Sequence, residues 1–265
     1  MHLSSRVLAI ASSSLVLAAT ANLAYASHSW GFYHWARTGN PFTVKLGDNL
    51  TSAWDPYLAT TSSDWSVSSI LDTTIVPGVN PRPKSCKPAL GRVEICNTTY
   101  GSNGWLGIAQ IWINGDHITQ SVVKMNDTYF KMAKYNKPAW KNLVLCQEVG
   151  HAFGLDHQDE NFGNLPLGTC MDYSNDPVPN QHPNAHDYEE LEEIYAHLDG
   201  STTLSAVSPS TSNPSDLDDP AAWGKAQRTS SDGKGIVYER DLSDGHKVVT
   251  FVIWAEEPRG NGRSH

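Results

Sequence analysis

The run Gln147-Glu148-Val149-Gly150-His151-Ala152-Phe153-Gly154-Leu155-Asp156-His157 carries the residue types from which a metal-centred hydrolytic site is built. On a helix, residues four apart share a face and lie one turn from each other, so Gln147 and His151 aim at a common point. Gly154 is free to take the left-handed conformation that ends a helix, and the turn returns His157 toward that point from another direction. Two imidazoles, a neutral amide oxygen and a water make a four-coordinate zinc site with one open position, as a catalytic zinc needs. Glu148 follows one ligand directly. Its carboxylate therefore falls beside the water rather than on the ion, placed to take up a proton and pass it to a leaving group. A Glu and a His three apart on a helix are by themselves ordinary surface neighbours; Gly154 and His157 in this order turn the pair into a candidate centre.

These side chains need a helix beneath them. Leu143, Val144, Cys146, Val149, Ala152 and Phe153 recur at helical spacing after Pro138 and before Gly154, which predicts a helix over 140–153. A second helix is predicted over 186–198, where Tyr188, Leu191, Ile194, Tyr195 and Leu198 form the apolar repeat. Asp187, Glu189 and Glu190 lie in its first turn, where the helix dipole favours acids. Residues 30–114 read as short strands and loops broken by Pro77-Gly78, Asn80-Pro81, Gly101 and Gly104, and 66–75 suits either a strand or a short helix. Residues 108–113 make a strand, with 118–125 as its neighbour across Asn114-Gly115-Asp116. The expected fold class is α+β, a twisted mixed sheet over the metal helix.

Arg6, the apolar run 7–19 and Ala24-Tyr25-Ala26 form a signal-peptide pattern over 1–26, so the mature chain is expected to start near Ser27 in a secreted protein. Loss of Arg6 takes the net charge from -9 to -10, and the scattered basic residues argue against nucleic acid as a partner. No later segment is long and apolar enough to span a bilayer. Cys86, Cys96, Cys146 and Cys170 allow three pairings, of which Cys86 with Cys96 and Cys146 with Cys170 close the shortest loops. The catalytic domain is placed at 27–199, a Ser/Thr/Pro-rich linker at 200–220, and a small tail at 221–265. In that tail 235–242 and 247–254 alternate around Ser243-Asp244-Gly245 as a β-hairpin, which is marginal alone and is expected to pack on the main domain or one of its edges.

The motif resembles that of the metzincin zinc metallopeptidases, HExxHxxGxxH followed by a methionine-containing turn. Glu148 matches the general base, His151 and His157 the second and third zinc ligands, and Gly154 the glycine of the turn. Met171, in Cys170-Met171-Asp172-Tyr173, resembles the methionine beneath the zinc, and Tyr173 the tyrosine that stabilises the oxyanion in the astacin and serralysin branches. The resemblance implies a Zn2+ cofactor, hydrolysis of an extended polypeptide by metal-activated water, and substrate binding by strand addition to an edge within 108–125. The departure is Gln147, which stands where the family has histidine: a poorer donor, lowering affinity, but neutral, so the charge at the ion is unchanged. A monomeric peptidase is the reading that follows.

The rival is a secreted binding protein on the same scaffold, with catalysis lost at Gln147; a carbohydrate-binding module using the Trp and Tyr rings is a third. Met171 alone reads as a core gap-filler and Tyr173 as a packing group. His34, His117, His182 and His186 lack ligand spacing and are assigned surface or capping roles, with His117 held as a substitute ligand for Gln147. Asn49, Asn97 and Asn126 begin sequences with the form of glycosylation sites.

Overall fold

A computed structural model describes residues 27–205 and 219–255. The expected signal peptide and residues 206–218 of the expected linker lie outside those residues. In chain order the elements are β1 (His34–Trp35), β2 (Phe42–Asn49), α1 (Asp55–Trp65), β3 (Leu71–Pro77), β4 (Arg92–Thr98), β5 (Trp105–Asn114), β6 (His117–Asn126), α2 (Asp127–Phe130), α3 (Pro138–His151), α4 (Ala185–Ile194), β7 (Lys225–Thr229), β8 (Gly235–Ser243) and β9 (His246–Trp254). Nine strands form one mixed sheet in the order β3-β2-β4-β6-β5-β9-β8-β7, with β1 paired to the start of β6. Neighbours from β3 to β6 run parallel; β5, β9, β8 and β7 are antiparallel to their neighbours. The strands at the middle of the sheet are buried on both faces, which is why β5 reads as a nearly unbroken apolar run, while β4 buries Glu94 and Asn97 among its apolar residues.

Helix α3 packs against β5, β6 and β9 and places Leu143, Val144 and Val149 in the main core. Pro138 opens it, where a missing N–H costs nothing. The helix stops at His151, and Gly154 (φ +97°) makes the turn; a Cβ there would lie 2.3 Å from the Tyr33 carbonyl oxygen, so only glycine fits. Helix α1 lies inside the stretch expected to hold only strands and loops. Two of its four buried residues, Thr61 and Ser62, are polar, and Ser62 bonds Thr73, so the helix shows no apolar stripe in the sequence. Residues 66–75 divide between a turn and the start of β3. Helix α4 ends at Ile194, short of the expected 198, because the Arg37 guanidinium takes the carbonyls of Tyr195 and His197 and draws the chain into a turn.

The C-terminal hairpin packs on the main domain and pairs with an edge of its sheet, as expected. The C-terminal segment supplies a third strand, β7, besides the expected hairpin, and β9 pairs along the outer edge of β5. Val237, Val249, Phe251 and Ile253 belong to the same buried cluster as Val144, Val149 and Phe153. The edge expected to receive a substrate strand is thus held by the chain itself. Seven of the nine tryptophans are buried, which leaves little of the aromatic surface a sugar-binding platform needs.

Candidate metal centre

Helix α3 and the Gly154 turn bring His151 and His157 together with their Nε2 atoms 2.9 Å apart. His151 Nδ1–H donates to the Leu155 carbonyl at 2.9 Å, which leaves Nε2 with a lone pair. His157 Nδ1 faces the carboxylates of Asp156 and Glu160 at 3.4 and 3.5 Å, so its proton belongs on that side. With both rings in the Nδ1–H tautomer, two lone pairs meet at this separation and repel unless a cation lies between or beside them; a proton on either Nε2 would make the contact a hydrogen bond instead. Gln147, on the same face one turn earlier, donates its amide N–H to the Cys170 carbonyl at 2.7 Å, which fixes the group and leaves buried Oε1 without a hydrogen-bond partner. Both Glu148 carboxylate oxygens are likewise buried and unpartnered. Orphaned acceptors in this number are costly, and two imidazoles with an amide oxygen as donors, and a carboxylate on the neighbouring residue, fit a divalent transition cation.

The electrostatics follow from burial. Glu148, His151 and His157 are all buried. Burial without a partner pushes the Glu148 carboxyl well above the usual range. Burial, then the adjacent His157, pushes His151 well below its usual value. Burial also opposes charge on Asp156, but hydrogen bonds from His157 and Arg228 overcome it and hold that carboxyl well below the usual range.

Residues 169–173 pass beneath this group. Met171 is fully buried, and a Cβ on Gly150 would lie 2.5 Å from its Sδ, so the sulfur packs directly on α3 beside His151. The backbone ties Gln158 N to Met171 O at 2.7 Å and Tyr173 N to Asp159 O at 3.1 Å, fixing the His157 segment on that turn. Asp187 of α4 accepts hydrogen bonds from Gln158 and Thr169, and Thr169 in turn accepts from Met171 N. Disulfides join Cys86 to Cys96 and Cys146 to Cys170. The second pins α3 to the turn that carries Met171 and closes a separation of 24 residues. Replacing Cys146 and Cys170 with serine should lower unfolding stability by about 3 kcal/mol in chemical denaturation on the chain-entropy account. It should also weaken metal binding, because Gln147 and Met171 each follow one of the cysteines; unaltered metal affinity in a destabilised variant would detach the bridge from the site.

The C-terminal strands close the site from above. Phe251, which pairs with Ala109 across β5, stacks on the His151 ring with centroids 4.1 Å apart and planes 5° apart. Arg228 bridges Asp156 and Glu160, with Nε 2.7 Å from the Glu160 carboxylate. At the start of β8, a Cβ on Gly235 would lie 2.1 Å from the Tyr173 hydroxyl oxygen, so the tail backbone lies on that phenol. Tyr173 itself stacks on Phe162 and lies against His157, with centroids 4.5 and 4.0 Å away. Phe251 and Arg228 carry no spacing relation to the motif, and the sequence held no signal for either.

The remaining histidines divide. His182 is exposed and bonds Asp64 at 2.7 Å, in keeping with a surface role. His34 does not fit the surface role expected of it. It is buried, and with His117 and His197 it surrounds Asp199. His117 therefore belongs to this second cluster and pairs with Asp199 rather than substituting for Gln147. The side-chain amides of Asn49, Asn97 and Asn126 are all engaged in internal hydrogen bonds, so none of the three is presented for glycosylation in the folded chain. No helix among the described residues is long and apolar enough to cross a membrane. No protein-family model matches the chain, and no curated protein matches it.

Proposed function

We propose that the chain is a secreted, zinc-dependent peptidase of metzincin type, acting on extended polypeptide and held closed by its own C-terminal strands. The observation that carries this reading is the pair of buried Nε2 atoms of His151 and His157, 2.9 Å apart, each with its other ring nitrogen directed at an acceptor. His151, His157 and Gln147 Oε1 would hold the ion. When bound, zinc supplies positive charge that acidifies water and polarises a carbonyl. Glu148 accepts the proton from the attacking water and returns it to the leaving amine; a carboxyl whose affinity for protons is raised by burial suits that work near neutral pH. The Tyr173 phenol lies beside His157, where it can donate to the oxygen that becomes negative. Gln147 is oriented through its N–H to Cys170, which presents the oxygen rather than the nitrogen.

Strand β9 forms with β5 the antiparallel ladder that an added substrate strand would form, and it carries Phe251 onto the ligand ring. The same closure favours the rival reading, a metal-holding binding protein without catalysis. Metal affinity tests the ligand set first. Gln147→His should tighten zinc binding and Gln147→Ala should weaken it, as read by competition with a chromogenic chelator. Equal affinity across the three proteins would remove Gln147 from the coordination shell.

A further inference from the structure

We infer that the chain carries a second zinc site, separate from the motif, built from His34, His197 and Asp199, with His117 beside it. Strand β1 runs parallel to β6 with His34 directly opposite His117, and their ring centroids are 5.0 Å apart. The chain leaving α4 brings His197 and Asp199 to the same place. His34 Nε2, His197 Nε2 and Asp199 Oδ1 form a triangle with sides of 3.1, 3.4 and 3.6 Å. Donors about 2.0–2.2 Å from a tetrahedral zinc ion are separated by roughly 3.3–3.6 Å. His117 stands beside the triangle and its Nε2 meets the same carboxylate oxygen at 3.2 Å, outside the set of three mutually close donors.

The surroundings orient these donors. His34 Nδ1–H donates to the Phe32 carbonyl at 2.6 Å, the outer contact that fixes a ligating imidazole with its Nε2 lone pair free. That lone pair then faces the Asp199 carboxylate oxygen at 3.4 Å, an acceptor against an acceptor, which a cation relieves. Asp199 uses its other oxygen for the Arg37 backbone N–H and guanidinium, both at 3.0 Å, so Oδ1 is held toward the three rings. Two imidazoles and a carboxylate supply three donors of a tetrahedral zinc, and the exposed side of His197 leaves the fourth position to solvent. It would join β1 to the segment after α4, where backbone bonds from Asp199 to Arg37 and from Thr203 to Ala36 already hold the chain.

The test counts ions. Metal-stripped mature protein, titrated with zinc alone and followed by calorimetry and metal analysis, should bind two equivalents. His157→Ala should keep one, and cobalt in that protein should give the intense visible bands of a four-coordinate ion. His197→Ala, at a side chain 55% exposed, tests the ligand with little risk to the fold. It should lower affinity at this site by more than the ~10- to 100-fold that loss of an outer-shell partner costs. Zinc should raise the thermal midpoint of His157→Ala protein and leave that of the His157→Ala/His197→Ala protein unchanged. If His157→Ala protein takes up no zinc, or if its zinc survives both His197→Ala and Asp199→Asn, the four residues are a hydrogen-bonded cluster and the inference fails. A retained equivalent in His157→Ala stands whether or not the motif site is catalytic.

Discussion

Releasing the C-terminal strands should increase peptide hydrolysis by at least about tenfold, the factor corresponding to ~1.4 kcal/mol of closure. The expectation rests on three contacts from separate strands: Phe251 of β9 on His151, Gly235 of β8 on Tyr173, and Arg228 of β7 on Asp156 and Glu160. Together they cover the imidazoles, the phenol and the rim. Simple truncation would expose the apolar face that Val237, Val249 and Phe251 bury. A cleavable sequence placed within residues 206–218 avoids this, since the intact protein folds first and is cut afterwards. After cutting and separation, hydrolysis of an unstructured protein substrate should rise and zinc removal by a chelator should quicken. A synthetic peptide of residues 219–255 added back should inhibit competitively if, as proposed, substrate adds as a strand to the edge of β5 that β9 covers. Full activity in the uncut protein, unchanged by cutting, would show that the tail is no barrier.

On the opened protein, Glu148→Gln should reduce turnover by on the order of 10²- to 10⁴-fold, the usual contribution of a general base. Zinc content should stay unchanged. Glutamine keeps the size and polarity of the side chain and removes its capacity to carry the proton, and Glu148 contributes no ligand in the proposed set. A cleaved protein that binds zinc tightly but hydrolyses no better than its Glu148→Gln variant is a binding protein, and the peptidase reading would be abandoned. Tyr173→Phe offers a finer measure on the same background: a fall in kcat with KM unchanged is expected of a group that acts only on the developing charge.

Local pattern in the sequence sufficed for helix α3, the turn at Gly154, the β5–β6 hairpin and the two disulfides, because each is set within one or two turns of chain or one short loop. It also gave Gln147, His151 and His157 as one candidate set, since helical spacing fixes the first two and a glycine turn the third. Helix α1 escaped because polar Thr61 and Ser62 occupy buried positions that an apolar stripe would have marked. What the tertiary structure alone decided is which remote segments meet: β9 on β5, Phe251 over His151 a hundred positions earlier in the chain, and His34 beside His197 and Asp199. Those meetings follow from the order of strands in the sheet, a property of how whole faces are buried against one another. No periodicity in a single segment encodes it.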